Sequence, residues 1–193
     1  MKKILVVATF LFFCFIPFSV MAQHNAVDKG SFELGIGSIV DIWLYSWEIY
    51  EDATWIGLGT TPNLTVGYFV ANGFMVGTTI GFTRYKSESW TDPNNYFSVQ
   101  PIVKYYFPFS EKFLLNGKVF FGWSRDKTSG DPDAYTRINF GGGVAGTYML
   151  LPSLGASIGV DFIAFLDQKY GGETIDDSNV NIFYIILGLS VYL

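Results

Sequence analysis

The feature that most constrains the fold is a regular alternation of apolar and polar residues from about residue 30 to the last residue. Eight alternating stretches follow one another, and the connectors between them are in turn very short and long. A β-strand with a two-residue period has one apolar face and one polar face. Short and long connectors in rotation therefore predict an up-and-down meander whose two ends differ in character.

The strand boundaries follow from the alternation and from the turn residues. The eight predicted strands cover residues 30–43, 57–70, 74–86, 96–107, 113–124, 135–149, 154–166 and 180–193. Short turns are predicted at residues 71–73, 108–112 and 150–153, and long loops near residues 45–54, 87–95, 125–134 and 167–179. Pro62 and Pro101 each remove a backbone donor within a predicted strand, so we expect a local bulge at both.

The charges in the middle of the strands indicate which face meets lipid. A cationic side chain at the lipid midplane costs roughly 2–4 kcal/mol, so such residues should point into the lumen. Glu33, Lys104, Lys118 and Asp161 all fall on the face opposite the apolar one. A soluble barrel would instead keep its apolar face inside. The pattern predicts an all-β protein, an eight-stranded antiparallel up-and-down transmembrane β-barrel.

The composition agrees with a membrane barrel. Hydrophobic residues make up 50% of the chain and aromatic residues 19%. Beyond the N-terminus, no apolar run reaches the roughly 20 residues that a membrane helix needs. Aromatic residues gather at the strand ends, as in the two girdles of membrane barrels. Those near the short turns are Tyr68, Phe69, Phe74, Tyr105, Tyr106, Phe107, Phe109, Phe113 and Tyr148.

The N-terminus has the pattern of a cleavable signal peptide over residues 1–22. Lys2 and Lys3 precede an apolar core at residues 4–16, and small residues favour cleavage before Gln23. The alternative is a retained anchor, for which the apolar core is short. Residues 23–29 are then a short periplasmic segment, and residues 30–193 form the barrel. Cleavage removes the one cysteine, Cys14, and changes the net charge from −5 to −7 (10 minus 17), which argues against nucleic acid as a partner.

Two segments resemble a known family. Residues 61–73 contain a Pro…Gly-Tyr-Phe-Val…Asn hairpin, and residues 100–107 read Gln-Pro-Ile-Val-Lys-Tyr-Tyr-Phe. Both resemble the small eight-stranded outer-membrane β-barrel proteins, related to the OmpA membrane domain and OmpX, although the last residue is Leu193 where that family usually has an aromatic one. The resemblance implies a monomer integral to the cell outer membrane with both termini in the periplasm. Implied partners are outer-membrane lipid and lipopolysaccharide, with periplasmic chaperones and the barrel-assembly machinery during biogenesis.

The sequence offers little catalytic chemistry. An acylating serine normally needs a positioned base, and the one histidine, His24, precedes the first strand. Asp126, Asp131 and Asp133 share a loop, but their spacing is not that of an EF-hand. We therefore predict no enzymatic activity, no cofactor and no metal site, and a lipid-modifying barrel enzyme is the least favoured alternative.

Two groups of residues are functional candidates. Glu33, Lys104, Lys118 and Asp161 form a predicted charge network in the lumen, either a structural plug or a gate. Glu33 should lie roughly across the barrel from Lys118, with Lys104 adjacent and Asp161 nearer the middle. A predicted aromatic surface surrounds the first long loop and could bind an unknown extracellular ligand; it consists of Trp43, Tyr45, Trp47, Tyr50 and Trp55. The predicted role is envelope integrity or surface interaction through the four long loops. A narrow channel for small or apolar solutes is the alternative.

Overall fold

The computed structural model describes residues 26–37, 41–47, 53–59, 62–85, 92–175 and 181–193. They form eleven strands: β1 (Phe32–Gly37), β2 (Asp41–Trp47), β3 (Ala53–Gly59), β4 (Asn63–Ala71), β5 (Phe74–Tyr85), β6 (Asn94–Ser110), β7 (Phe113–Thr128), β8 (Tyr135–Leu151), β9 (Leu154–Tyr170), β10 (Glu173–Thr174) and β11 (Asn181–Tyr192). No helix in this part of the chain is long and apolar enough to cross a membrane.

Eight of these strands close into a ring of antiparallel pairs. The order around the ring is β1, β4, β5, β6, β7, β8, β9 and β11, and β11 pairs back onto β1. At the seam, Phe32 and Leu193 exchange backbone hydrogen bonds of 2.8 and 2.9 Å. The predicted eight-stranded antiparallel barrel is confirmed.

The first two predicted strands are each divided in two. β1 and β2 follow each other along β11, which pairs with β2 through residues 181–186 and with β1 through residues 189–192. β4 pairs with β1, and β3 pairs with β2. Pro62 lies between β3 and β4 and belongs to neither strand. Each predicted strand therefore corresponds to two successive segments.

The strands run farther into the long loops than predicted. β7 ends at Thr128 and β9 at Tyr170, each four residues beyond the predicted end, and β2 and β3 occupy much of the predicted loop 45–54. The sequence pattern ends where outward side chains stop being apolar, whereas backbone pairing continues with polar residues. The end of the barrel that carries these extensions is called the loop end below, and the other is called the turn end.

The prediction of a bulge at Pro101 is wrong. Thr78 pairs with Pro101 in regular register on one side, and Val99 and Ile102 keep one register with β7 on the other. Long ladders on both sides of β6 hold the register across a single missing donor. The irregularities lie elsewhere, at residues 69/71, 108/110, 138/139 and 149/151.

The outer wall is apolar, as the alternation predicts. Phe74, Val76, Ile80 and Phe82 of β5 are exposed, and Met75, between the first two, has no exposed surface. Two residues assigned to the girdle at the turn end are wrongly placed there, because Phe69 is 0% and Tyr106 2% exposed, and both lie in the lumen. Neighbouring aromatic residues on one strand point to opposite faces, so Tyr68 and Phe69 cannot both contact lipid.

Candidate functional site

Large side chains fill the lumen at the turn end. The rings of Phe69 and Tyr106 have centroids 5.5 Å apart, and those of Tyr106 and Tyr192 are 6.2 Å apart, edge to face. Met75, with no exposed surface, belongs to the same buried cluster. Its remaining members are Val27, Ile102, Leu114, Phe120 and Met149. An eight-stranded barrel is just wide enough for side chains to fill its interior, and this end of the lumen is filled in that way.

Glu33 is the polar centre of this packed region. It is 1% exposed, and its Oε1 lies 2.9 Å from Lys104 Nζ. Tyr106 donates its hydroxyl hydrogen to Glu33 Oε2 at 2.7 Å, and Ser190 donates to Oε1 at 3.0 Å. Residues from β1, β6 and β11 thus meet at one carboxylate. A charge buried without partners is very costly, so these three contacts are what make Glu33 tolerable inside the barrel.

A second ion pair joins Lys118 and Asp161. Lys118 Nζ lies 2.6 Å from Asp161 Oδ2, and the two side chains are 17% and 11% exposed. Lys118 is the direct register partner of Lys104, so two cations lie side by side on the inner face of β6 and β7. Each cation has its own carboxylate, which offsets the repulsion expected between like charges in direct cross-strand positions.

Inner glycines leave the space that these side chains occupy. Gly143 lies between Lys118 and Asp161 in the register, and a Cβ there would collide with the Asp161 carboxylate. Gly67 is the register partner of Glu33, and a Cβ there would collide with Met75. At these two positions, side chains from neighbouring strands therefore occupy the space that the glycines leave.

The chain before β1 covers the turn end. Val27 is 8% exposed and belongs to the buried cluster, and its carbonyl accepts a hydrogen bond from Gly73 N at 2.8 Å. Gly73 has a φ of 73°, which glycine adopts at little cost in so tight a turn. Lys29 N donates to Asn72 Oδ1 at 2.9 Å. Residues predicted only as a short N-terminal segment thus contribute to the buried cluster, and nothing in their sequence indicated it.

The loop end of the lumen is polar. Arg137 Nε donates to Gln168 Oε1 at 3.2 Å, and one terminal nitrogen lies 3.8 Å from Asp126 Oδ2. The guanidinium also lies over the rings of Tyr135 and Phe165, 5.5 and 5.8 Å from their centroids. The arrangement is more open than the Glu33 site, because the side chains of Arg137 and Asp126 are 24% and 14% exposed.

Beyond the lumen, Tyr170 connects β9 to the loop between β7 and β8. Its hydroxyl donates to Asp131 Oδ2 at 2.9 Å, and this hydrogen bond raises the pKa of Tyr170 above its ordinary value. Asp133 N donates to Asp131 Oδ1 at 2.9 Å. Among the described residues, no group of three or more His, Cys, Asp or Glu side chains is arranged to hold a metal ion.

The structure brings the four predicted lumen charges into direct contact in pairs. The four lumen charges form two ion pairs, Glu33 with Lys104 and Lys118 with Asp161. The sequence did not identify Tyr106 and Ser190 as partners of Glu33; their inward positions on the alternation were the available signal. The role of the charges, as plug or gate, stays a prediction.

The aromatic candidates lie on strands rather than around an open loop. Trp43, Tyr45 and Trp47 alternate along β2, and Tyr45 is the register partner of Trp55 on β3. Tyr50 lies outside the described residues. Trp43 and Trp47 are the register partners of Gly57 and Ala53, so the β2–β3 ribbon pairs only Tyr45 and Trp55 among these residues. Their part in ligand binding stays a prediction.

Comparison with known proteins supports the architecture. No family model matches the chain, and no curated protein matches it. Its structure is similar to that of Neisserial surface protein A, with a TM-score of 0.57, 16% identity, and 84% of this chain and 99% of that chain covered. It is similar to the outer-membrane protein OprG from Pseudomonas aeruginosa, with a TM-score of 0.57, 12% identity, and 88% and 99% covered.

A third similar structure is that of Ail, the attachment invasion locus protein of Yersinia pestis, in complex with the heparin analogue sucrose octasulfate. The TM-score is 0.56 at 12% identity, and the alignment covers 86% of this chain and 99% of that one. At these identities the similarity concerns the fold. The chain has the fold of small eight-stranded outer-membrane β-barrels.

Proposed function

We propose that the protein is a non-enzymatic, integral outer-membrane barrel whose lumen is a permanent plug and whose role lies in envelope integrity or surface interaction. In this proposal the signal peptide is removed, both termini lie in the periplasm, and the loop end faces the cell exterior. Residues that bind an external ligand then belong to the loops and strand extensions, and the lumen charges have a structural role.

The observation that carries the proposal is the filled lumen at the turn end. Glu33, Phe69, Met75 and Tyr106 come from four strands, and each is at most 2% exposed. Glu33 is held by contacts from two further positions, Lys104 and Ser190. A passage through this region would require several packed side chains and an ion pair to move together, which favours a plug over a pore.

The test is single-channel conductance of the mature protein refolded into planar bilayers. The plug predicts no reproducible steps for wild type or for Lys118→Met, with folding checked by the heat-dependent shift of barrel proteins on gels. Reproducible steps whose size or gating changes in Lys118→Met would contradict the plug. They would favour the alternative function, a narrow passage that opens when the adjacent Lys104 and Lys118 exchange carboxylates.

Surface interaction has its own test. The crystal structure of Ail contains the heparin analogue sucrose octasulfate, so a barrel of this fold can bind a sulfated sugar derivative. In the present chain the aromatic register pair Tyr45 and Trp55 lies next to residues 48–52. Cells that display the protein should bind host-surface glycans. Deleting residues 48–52 should abolish this binding while leaving the barrel folded. Unchanged binding would contradict a role for this ribbon.

A further inference from the structure

A column of stacked side chains runs from the lumen to the rim of the barrel at the loop end. The Arg137 guanidinium lies over the rings of Tyr135 and Phe165, 5.5 and 5.8 Å from their centroids. The rings of Tyr135 and Tyr170 in turn have centroids 4.7 Å apart. Tyr135 and Tyr170 are register partners, so the column spans the neighbouring strands β8 and β9. Phe165, Arg137, Tyr135 and Tyr170 are called the rim column below.

Polar contacts hold both ends of the exposed part of this column. Arg137 Nε donates to Gln168 Oε1 at 3.2 Å. Tyr170 donates its hydroxyl hydrogen to Asp131 Oδ2 at 2.9 Å. The Tyr135 and Tyr170 side chains are nevertheless 42% and 36% exposed. Rigid aromatic side chains that stay exposed lose little conformational entropy when a ligand covers them, so the rim column is prepared for binding.

Arg137 is paired more loosely than Lys104 and Lys118. One of its terminal nitrogens lies 3.8 Å from Asp126 Oδ2, whereas Lys104 and Lys118 lie 2.9 and 2.6 Å from their carboxylates. A charge-assisted hydrogen bond is about 2.7–2.9 Å long, so 3.8 Å is too long for that bond. The Arg137 side chain is also 24% exposed, against 12% and 17% for the two lysines. Of these three cations, Arg137 is the one best placed to donate to a carboxylate that enters from the loop end.

The surroundings limit the kind of anion that fits. Asp131 accepts the hydroxyl hydrogen of Tyr170, and a Cβ added at Gly171 would lie 3.0 Å from the Asp133 carboxylate. Carboxylates so close to the column repel densely sulfated or phosphorylated polymers, but they accept hydrogen bonds from hydroxyl groups. The face of an aromatic ring is partially negative, so it attracts the C–H groups of a sugar ring. A sugar that carries a single carboxylate suits the cation, the acceptors and the ring together.

We propose that the rim column binds an acidic sugar residue of the hexuronate class, with its carboxylate on Arg137 and its ring against Tyr170. The inference rests on the proposed function, because it takes the loop end to face the cell exterior. The terminal nitrogens of a guanidinium can donate two parallel hydrogen bonds to the two oxygens of a carboxylate. This site lies on β8 and β9, apart from the β2–β3 ribbon.

The test is saturation-transfer NMR of the refolded barrel in micelles, titrated with a trimer of galacturonic acid or with a neutral trimer of galactose. Arg137→Gln removes the cation, Tyr170→Ala removes the exposed ring, and Lys169→Gln is a control with the same change of charge. Lys169 lies between Gln168 and Tyr170 in sequence, and alternation turns it to the opposite face of β9. The heat-dependent shift on gels checks that each variant is folded.

We expect wild type and Lys169→Gln to bind the galacturonic acid trimer at least about tenfold more tightly than the galactose trimer, since hydrogen bonds to a charged group contribute a factor of that size. Arg137→Gln should lose this preference, and Tyr170→Ala should bind both trimers more weakly. Four results would each overturn the proposal: no preference in wild type, a preference kept by Arg137→Gln, unchanged binding by Tyr170→Ala, or an equal loss in Lys169→Gln.

The proposed function is tested separately, by conductance and by surface labelling of a tag inserted at Gly130, because neither depends on a saccharide. A silent, surface-labelled barrel without preference for the galacturonic acid trimer overturns the sugar site alone. A conducting barrel that keeps the preference overturns the plug alone.

Discussion

The two ends of the lumen are built differently although the same strands form both. At the turn end, Glu33 has three side-chain partners, is 1% exposed, and lies among aromatic rings. At the loop end, Arg137 has one hydrogen bond of 3.2 Å and one ion-pair contact of 3.8 Å, lies over the rings of Tyr135 and Phe165, and is 24% exposed. The Lys118–Asp161 pair is intermediate in exposure. We infer that contacts at the turn end contribute most of the barrel's stability. Substitutions at the loop end should then change stability less.

The largest test of this comparison is removal of the Glu33 carboxylate. Glu33→Gln should lower the free energy of unfolding by about 3–5 kcal/mol, because it leaves Lys104 buried without its counter-charge. Urea-induced unfolding in micelles measures the change. Glu173→Gln, an exposed carboxylate at the loop end, is the control and should change stability by less than about 0.5 kcal/mol.

A double variant sharpens the same test. Glu33→Met combined with Lys104→Met should lose less stability than Glu33→Gln alone, because no charge is left without a partner. The contrary result is a double variant that loses as much stability as Glu33→Met and Lys104→Met lose separately when the two losses are added. The two residues are then not coupled, and the turn end is not organised around this pair.

The next effect concerns the space left by glycine. Gly143→Ala should destabilise the barrel by about 2–3 kcal/mol, because the new methyl group collides with the Asp161 carboxylate and the Val160 carbonyl. Gly117→Ala on the neighbouring strand is a matched control, since no atom lies within 4 Å of its added Cβ. Equal effects in thermal unfolding would show that the inner position, Gly143, is packed no more tightly than the outer position, Gly117.

The intermediate ion pair should give a smaller loss than Glu33. Lys118→Met should lower stability by about 1–3 kcal/mol, because Asp161 loses its counter-charge but retains some access to solvent. Unfolding in micelles measures this change alongside the Glu33 variant. A loss equal to that of Glu33→Gln would remove the distinction between the two levels of the lumen, and unchanged unfolding would count against a structural role for Lys118.

The smallest effect is expected at the loop end. Arg137→Gln should lower the free energy of unfolding by at most about 1 kcal/mol, because its ion pair with Asp126 is long and partly exposed. A loss comparable to that of Glu33→Gln, measured in the same micelles, would show that the polar end is as important for stability as the packed end.

The sequence was most informative in the part of each strand that contacts lipid, because every second residue there must be apolar. Strand number, the short turns, the outward face of β5 and the inward direction of Lys104 and Lys118 all follow from alternation. It was least informative where lipid contact ends. The extension of β7 to Thr128 and of β9 to Tyr170 has no apolar signature, because backbone pairing does not require outward apolar residues.

By itself, the sequence determined that the chain is a membrane barrel with charges inside, because period-two alternation and the cost of charge in lipid act on each strand alone. Only the tertiary structure decided the partners: Glu33 with Lys104, Tyr106 and Ser190, whose positions are up to 157 residues apart. Register and ring closure set these distances, and both depend on all eight strands pairing at once.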